Sequence, residues 1–263
     1  RPYLPDQLFA RVECPVYDAW LTMGGNRYTR IRSQKPLGWM VHRESFDQEH
    51  LELAGSKGSV RTLLGSKVKK VREGPGVVEL ETTDGTLSAK VLVGADGARS
   101  VVSRHLPEHA ERPMGFAYEG ELASVSADTT WVRAGRECAQ GQNSPGAFFD
   151  FQTFPRGYGW VFPKGDHCSA GGFVFQRRLP GVKDLYREFC RDNNWLKGAE
   201  TYRARGHPTA LGGAWRRLHS RRVLLAGEAG NLVDPLTGEG IYYALRSGHL
   251  AGEGLPADSL RTL

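Results

Sequence analysis

The densest group of chemistry-bearing residues lies between Arg222 and Ile241. Val223 to Ala226 is a short apolar run that reads as a buried strand. Gly227 ends it, and one loop then holds Glu228, Gly230, Asp234, Pro235, Gly238 and Gly240. Ile241, Ala244, Leu245 and Gly248 recur at helical spacing. Strand, glycine loop and helix in this order aim backbone N–H groups and a helix N-terminus at one spot. That suits an anionic or electron-rich ligand. Glycine also lets a flat ligand approach the main chain where a Cβ would clash. A strand and glycine turn can be purely structural, but such a turn needs few of these residues.

Two further groups stand out. Val91 to Val93 reads as a buried strand ending in Gly94, Ala95, Asp96, Gly97 and Ala98. Asp96 offers a carboxylate to hydroxyl groups, and Ser100 is placed to start a helix. Tyr158, Trp160 and Phe162 alternate just before Pro163. In a strand these three rings share one face and form an apolar wall. The other reading of such a row is a sheet core packed against helices.

Several elements must position these groups. Residues 1–35 are irregular in pattern, with a turn signal at Gly24, Gly25 and Asn26. Leu37 to Val41 reads as a strand. Ser45 and Gln48 have capping-box spacing, which predicts a helix from Phe46 to about Ala54. Gly76 to Thr82, a turn at Asp84-Gly85 and Thr86 to Lys90 predict a hairpin. Between residues 106 and 215, aromatic-rich alternating runs predict an antiparallel sheet, with turns at Pro155–Gly157 and Lys164–Asp166. One helix interrupts it, marked by Val182, Leu185, Tyr186, Phe189 and Cys190.

Composition excludes several classes. The 263 residues hold 33 glycines and a net charge of +6, with charged residues spread along the chain. Nucleic-acid binding would need a basic face with interleaved aromatics, so none is expected. The densest basic cluster, Arg216-Arg217 with Arg221-Arg222, reads as a solvated turn. Four widely spaced cysteines, Cys14, Cys138, Cys168 and Cys190, read as free thiols in a reducing compartment, and no metal site is expected. No apolar run reaches the length of a membrane span, and the first residues lack the apolar core of a signal peptide. The expectation is a cytoplasmic protein, with surface association at a membrane as an addition.

Gly227-Glu228-Ala229-Gly230, Asp234-Pro235 and Gly238-Glu239-Gly240-Ile241 resemble the late flavin motif of the FAD-dependent oxidoreductases, most closely the geranylgeranyl reductase family. The fold of that family is shared with aromatic hydroxylases. Gly94-Ala95-Asp96-Gly97 resembles a second segment of the same superfamily, and Tyr158 to Pro163 resembles the Tyr-x-Trp-x-Phe-Pro motif of geranylgeranyl reductases. Arg43, two residues before Ser45-Phe46-Asp47, resembles an Arg that lies against FAD in the family. Where the family carries Asp at the ribityl-binding position, this chain has Glu228.

The resemblance implies an α/β fold: a Rossmann-like FAD-binding domain with an inserted antiparallel-sheet substrate domain. Its parts would be residues 1–105 and 216–263 for FAD, and 106–215 for substrate. Cofactor contacts would fall on Arg43, Asp96, Gly97, Ala98, Gly227, Glu228, Asp234, Pro235, Gly238, Gly240 and Ile241. The helix N-terminus at Gly238 to Gly240 would face the flavin ring. Substrate would lie on Tyr158, Trp160, Phe162 and Pro163. No catalytic acid is identified. The family's opening strand, its Gly-x-Gly-x-x-Gly loop and its early cysteine-glycine segment have no counterpart here, which gives the expectation of a chain cut at both ends. The implied reaction is reduction of carbon–carbon double bonds in a prenyl lipid, with NAD(P)H or ferredoxin as electron donor and a peripheral membrane contact. The alternatives are an aromatic hydroxylase or halogenase, since Trp160 to Pro163 also resembles the halogenase Trp-x-Ile-Pro pattern, and a non-catalytic lipid-binding remnant of the fold.

Overall fold

The computed structural model describes residues 3–9, 14–23, 27–106, 113–124, 146–164, 167–177, 180–193, 196, 198–213 and 217–255. The expected turn at Gly24-Gly25-Asn26, the Gly165-Asp166 part of a second turn, Cys138 and Arg216 lie outside them. In chain order the elements are α1 (Asp6–Phe9), β1 (Cys14–Val16), β2 (Asp18–Thr22), β3 (Tyr28–Arg32), β4 (Gly38–Met40) and α2 (Arg43–Gly55). Then come β5 (Val68–Glu73), β6 (Val78–Thr82), β7 (Thr86–Ala89), β8 (Leu92–Gly94), α3 (Val101–His105), β9 (Met114–Ser124), β10 (Ala147–Asp150), β11 (Gly157–Lys164) and β12 (His167–Val174). The last are α4 (Val182–Asp192), β13 (Ala199–Ala210), β14 (Val223–Leu225), a 3-10 turn (Gly227–Gly230) and α5 (Ile241–Gly254).

The chain divides into two compact units. One comprises residues 5–57 and 115–208, so the segment 5–57 folds with the sheet rather than with the rest of 1–105. The reason is strand pairing. Seven strands hydrogen-bond in the order β13-β9-β12-β11-β10-β2-β3. β2 and β3 come from the stretch that reads as irregular in sequence, and β2 runs parallel to β10, Ala19 opposite Ala147. The sheet is therefore mixed. β3 is exposed on both faces and shows no alternation to read. It is tied to β2 by the bidentate pair of Arg30 with Asp18, both bonds 3.0 Å, and Asp18 is buried.

One face of this sheet holds the core. Leu122, Phe148, Val161, Cys168, Ala170 and Val174 pack there with Phe154, Phe189 and Leu196. α4 lies on that face and buries Tyr186 and Phe189, as its helical spacing predicts. Gly172 is needed beneath it, because a Cβ there would come within 2.1 Å of the Phe154 ring.

α2 starts at Arg43, not Phe46. The capping box does not form. The Ser45 hydroxyl donates to the His42 carbonyl at 3.1 Å, while Arg43 and Asp47 close an i,i+4 pair at 2.8 Å. That pair supports a helix beginning one turn earlier.

The other unit comprises residues 1–4, 58–114 and 209–263. Its antiparallel sheet β5-β6-β7 contains the predicted hairpin. β8 and β14 form a parallel pair, Leu92 opposite Val223 and Gly94 opposite Leu225. Val71, Val78, Val102, Leu106, Val223, Leu225 and Ala229 form its core. Arg222 is more than a solvated turn residue: its guanidinium donates to Lys90 O at 3.1 Å and Pro75 O at 2.8 Å, clamping the hairpin to β14. Its backbone N–H and the Ser220 hydroxyl both donate to the Glu73 carboxylate at 2.6 Å.

Candidate functional site

The parallel pair β8–β14 brings the two glycine segments side by side. Ala226 N–H donates to Gly94 O at 2.9 Å, so both chains leave their strands together. The crevice beyond the carboxyl ends of parallel strands is where open α/β sheets bind ligands. Gly97 and Gly227 take φ of 74° and 54°, which an L side chain rarely adopts. Glu228 stands where the two loops meet. Its Oε1 accepts the Ala210 N–H at 3.0 Å, and a Cβ on Gly97 would lie 3.8 Å from its Oε2. The 3-10 turn is held from α5, where the Ser247 hydroxyl accepts the Gly227 N–H at 2.8 Å.

The other two carboxylates are spent on the chain itself. Asp96 accepts from the Ser100 hydroxyl and from the N–H groups of Val101 and Val102, at 2.6 and 3.2 Å. It caps α3 together with Ser100, whose Oγ accepts the Ser103 N–H. Asp234 accepts from Leu236 N–H, Thr237 N–H and the Thr237 hydroxyl. These bonds, the Thr237 N–H first, hold its carboxyl below the usual range. Gly238 N–H closes the loop on Asp234 O at 3.0 Å. At the start of α5, Glu239 accepts the Tyr242 N–H at 2.8 Å, so the chain's own carboxylate meets this helix N-terminus.

Gly97, Gly227 and Glu228 are thus brought together, and Ala98 follows Gly97 in the first loop. Pro235, Gly238, Gly240 and Ile241 lie in the loop that closes on Asp234 and leads into α5. Arg43 belongs to the sheet unit and is gripped by Asp47. Ala210 and Ser247, which fix Glu228 and Gly227, escaped the sequence reading. A backbone donor has no sequence signature, and Ser247 reads as an ordinary helix residue.

The predicted aromatic row is in the sheet unit. Tyr158, Trp160 and Phe162 pair across to Phe173, Gly171 and Ser169. They sit on the face opposite the α4 core, because their neighbours Val161 and Ala170 are core residues. Ring centroids lie 6.2 Å apart from Tyr158 to Trp160 and 5.8 Å from Trp160 to Phe162, and Phe149 joins Phe162 at 5.5 Å. Tyr158 and Trp160 are buried, while Phe151 and Phe175 at the same end are exposed. Pro163 pairs with Cys168 and turns with Val161 to the core face, so it does not extend the wall. Among the described residues no cluster of His, Cys, Asp or Glu could hold a metal ion.

The glycine crevice fits a flavin dinucleotide in two respects. Gly97 and Gly227 leave backbone without Cβ atoms on both sides, and Glu228 supplies a fixed carboxylate for hydroxyl groups.

Comparison with known proteins agrees with this geometry. The chain is 31% identical over 270 residues to a geranylgeranyl diphosphate reductase of Rhodobacter capsulatus, covering 97% of this chain and 64% of that protein. It is 32% identical over 239 residues to a menaquinone reductase of Mycobacterium tuberculosis, covering 86% of this chain and 56% of the relative. The chain therefore spans less than two thirds of the length of these relatives. A solved geranylgeranyl bacteriochlorophyll reductase-like protein of Thermoplasma acidophilum shares the fold with a TM-score of 0.73 at 19% identity, over 95% of this chain and 66% of that one. The halogenase PltM, solved with phloroglucinol and FAD, shares it with a TM-score of 0.67 at 16% identity, over 95% and 56%. The family described as FAD binding domain matches residues 70–257, which include both glycine segments, and the chain belongs to that family.

Proposed function

We propose that this chain carries the cofactor crevice and substrate wall of an FAD-dependent oxidoreductase that saturates carbon–carbon double bonds of a prenyl lipid. The observation that carries this is the aromatic face of β11. Its three rings lie opposite the α4 core and share a face with Phe149, as an extended apolar chain requires. Relatives named for geranylgeranyl diphosphate and for menaquinone, both prenyl compounds, support the same substrate class.

When bound and reduced, the flavin supplies a hydride to one carbon of the double bond, and a proton completes the saturation. The chain's residues bind and orient. Glu228, fixed by the Ala210 N–H, accepts hydroxyl groups of the cofactor. Tyr158, Trp160 and Phe162 hold the prenyl chain and exclude water from it. NAD(P)H or ferredoxin serves as electron donor, and the substrate class implies a peripheral contact with a lipid surface. Among the described residues no helix is long and apolar enough to cross a membrane.

The test is an absorbance and fluorescence titration of the purified chain with FAD, followed by prenyl-lipid reduction under a chemical reductant. A quenched, bound flavin and a saturated product are expected. Oxygen uptake driven by an aromatic substrate would shift the reading to a hydroxylase or halogenase. A colourless protein that still binds prenyl lipid would indicate a non-catalytic module.

A further inference from the structure

The segment leading into β5 is basic and apolar at once. From 53 to 72 the sequence holds six cations, Lys57, Arg61, Lys67, Lys69, Lys70 and Arg72, and no carboxylate. Two of them are answered from β6: Lys70 stands opposite Glu81 and Arg72 opposite Glu79, with Arg72 also 3.6 Å from Glu81. Arg61, Lys67 and Lys69 are exposed, and their side chains have no carboxylate partner among the described residues. Val60, Leu63 and Leu64 of the same stretch are exposed too, Leu64 by 78%.

The loop 58–67 is held in this form. The Thr83 hydroxyl accepts the Lys67 N–H at 3.0 Å, and the Thr83 N–H donates to Lys67 O at 3.0 Å. Gly65 takes φ of 77°, which suits the turn that carries Leu64 at its tip. A register shift between Val68 and Lys70 leaves Lys69 outside the ladder with β6. Lysines on an edge strand guard it against stray pairing, and β5 is an edge. That accounts for Lys69 and Lys70. It does not account for three apolar side chains displayed beside them.

We propose that loop 58–67, with Lys69, docks this unit on an anionic lipid surface. Leu63 and Leu64 enter the boundary between headgroups and acyl chains, while Arg61, Lys67 and Lys69 meet lipid phosphates. Exposed aliphatic side chains ringed by basic ones bind such surfaces through both terms. Nucleic acid fits less well, because the stretch from 53 to 72 has no aromatic ring to stack on a base. An acidic soluble protein would answer the cations and gain nothing from the tip leucines. The inference deepens the prenyl reading, which calls for a lipid contact, by naming the segment that makes it.

Flotation of the purified chain with vesicles tests this, using phosphatidylcholine alone and phosphatidylcholine mixed equally with phosphatidylglycerol. Binding to the mixed vesicles is expected, with little to the neutral ones and loss at high salt. Arg61→Ala and Leu64→Ser are each expected to weaken it roughly fivefold. Both side chains are exposed, so thermal midpoints should stay unchanged. No binding to the mixed vesicles, or binding that neither variant alters, would overturn the docking loop. Weakening by Arg61→Ala without any by Leu64→Ser would also overturn it and assign the patch to an acidic soluble partner. Geranylgeraniol binding, measured in detergent micelles, separates the two readings. If it persists while vesicle binding fails, the loop alone is overturned; if it fails while vesicle binding persists, the prenyl reading is.

Discussion

The indole of Trp160 fills the space above Gly171, its cross-strand partner: a Cβ on Gly171 would lie 2.6 Å from Cζ2 of that ring. The aromatic wall therefore depends on a missing side chain one strand away. The indole N–H also reaches the Ser169 hydroxyl at 3.5 Å, and Ser169 reaches Glu119 at the same distance. The middle ring of the wall is thereby linked to Glu119 on β9.

Gly171→Ala is expected to push Trp160 off its seat, since an added methyl in a packed site forces neighbouring atoms to shift. The expected cost is about 1–3 kcal/mol, read as a lowered thermal midpoint. An unchanged midpoint would show that the indole has room to move.

Asp96 is expected to matter for stability before any cofactor is added. Asp96→Ala removes the cap of α3 and should cost about 1–2 kcal/mol in the FAD-free protein, while Asp96→Asn keeps an acceptor and costs less. Denaturant melts of the FAD-free variants check this. An alanine variant as stable as wild type but weak in FAD binding would give Asp96 to the cofactor instead.

Glu228 separates two roles by substitution. Glu228→Ala strands the buried Ala210 N–H and should destabilise by about 1–3 kcal/mol. Glu228→Gln keeps an acceptor and should hold stability while weakening FAD binding through loss of charge. Thermal melts paired with FAD titrations distinguish the two. Full FAD affinity in Glu228→Gln would count against a charged contact with the cofactor.

Glu73 predicts a response to acid. Burial acts most strongly and pushes its carboxyl upward, but hydrogen bonds from Ser220 and Arg222 N–H, and then His105, outweigh it, so the folded value lies below the ordinary one. A depressed carboxylate contributes stability that is fully present above the unfolded value of about 4.3 and is lost as pH falls through the folded value. Thermal midpoints measured from about pH 6 down to pH 3 should fall less steeply for Glu73→Gln than for wild type. Parallel profiles would show that Glu73 plays no part in the acid response.

Much of the cofactor crevice was legible because it is local. Strand, glycine loop and helix at 223–254, the hairpin at 78–89 and the Ser100 cap all lie within short windows whose periodicity and turn residues specify them. β2 and β3 were not legible, because their partners are fixed by distant chain and β3 buries neither face. Asp96 is ambiguous for a different reason: a carboxylate one turn before a helix suits a cap and a hydroxyl contact equally well. The ion pairing of β9 with β13 did leave a signal. Glu119 and Glu121, and Arg203 and Arg205, repeat opposite charges at the same two-residue spacing, as facing strands do when they pair charges across a sheet. The spacing names the face, but only the strand order puts β13 next to β9.

The parallel seam between β2 and β10 also sets a schedule for the growing chain. Ala19 meets Ala147, so β2 emerges from the ribosome well before its parallel partner β10 exists. At ordinary translation speeds that interval is on the order of ten seconds. During it, β2 can pair with β3 but its other edge is open, and the hydrogen-bonding groups there are available to any other extended segment. Chaperone demand for this protein should therefore fall in the window between synthesis of β3 and synthesis of β10, and a chain stalled there is the species most prone to aggregate.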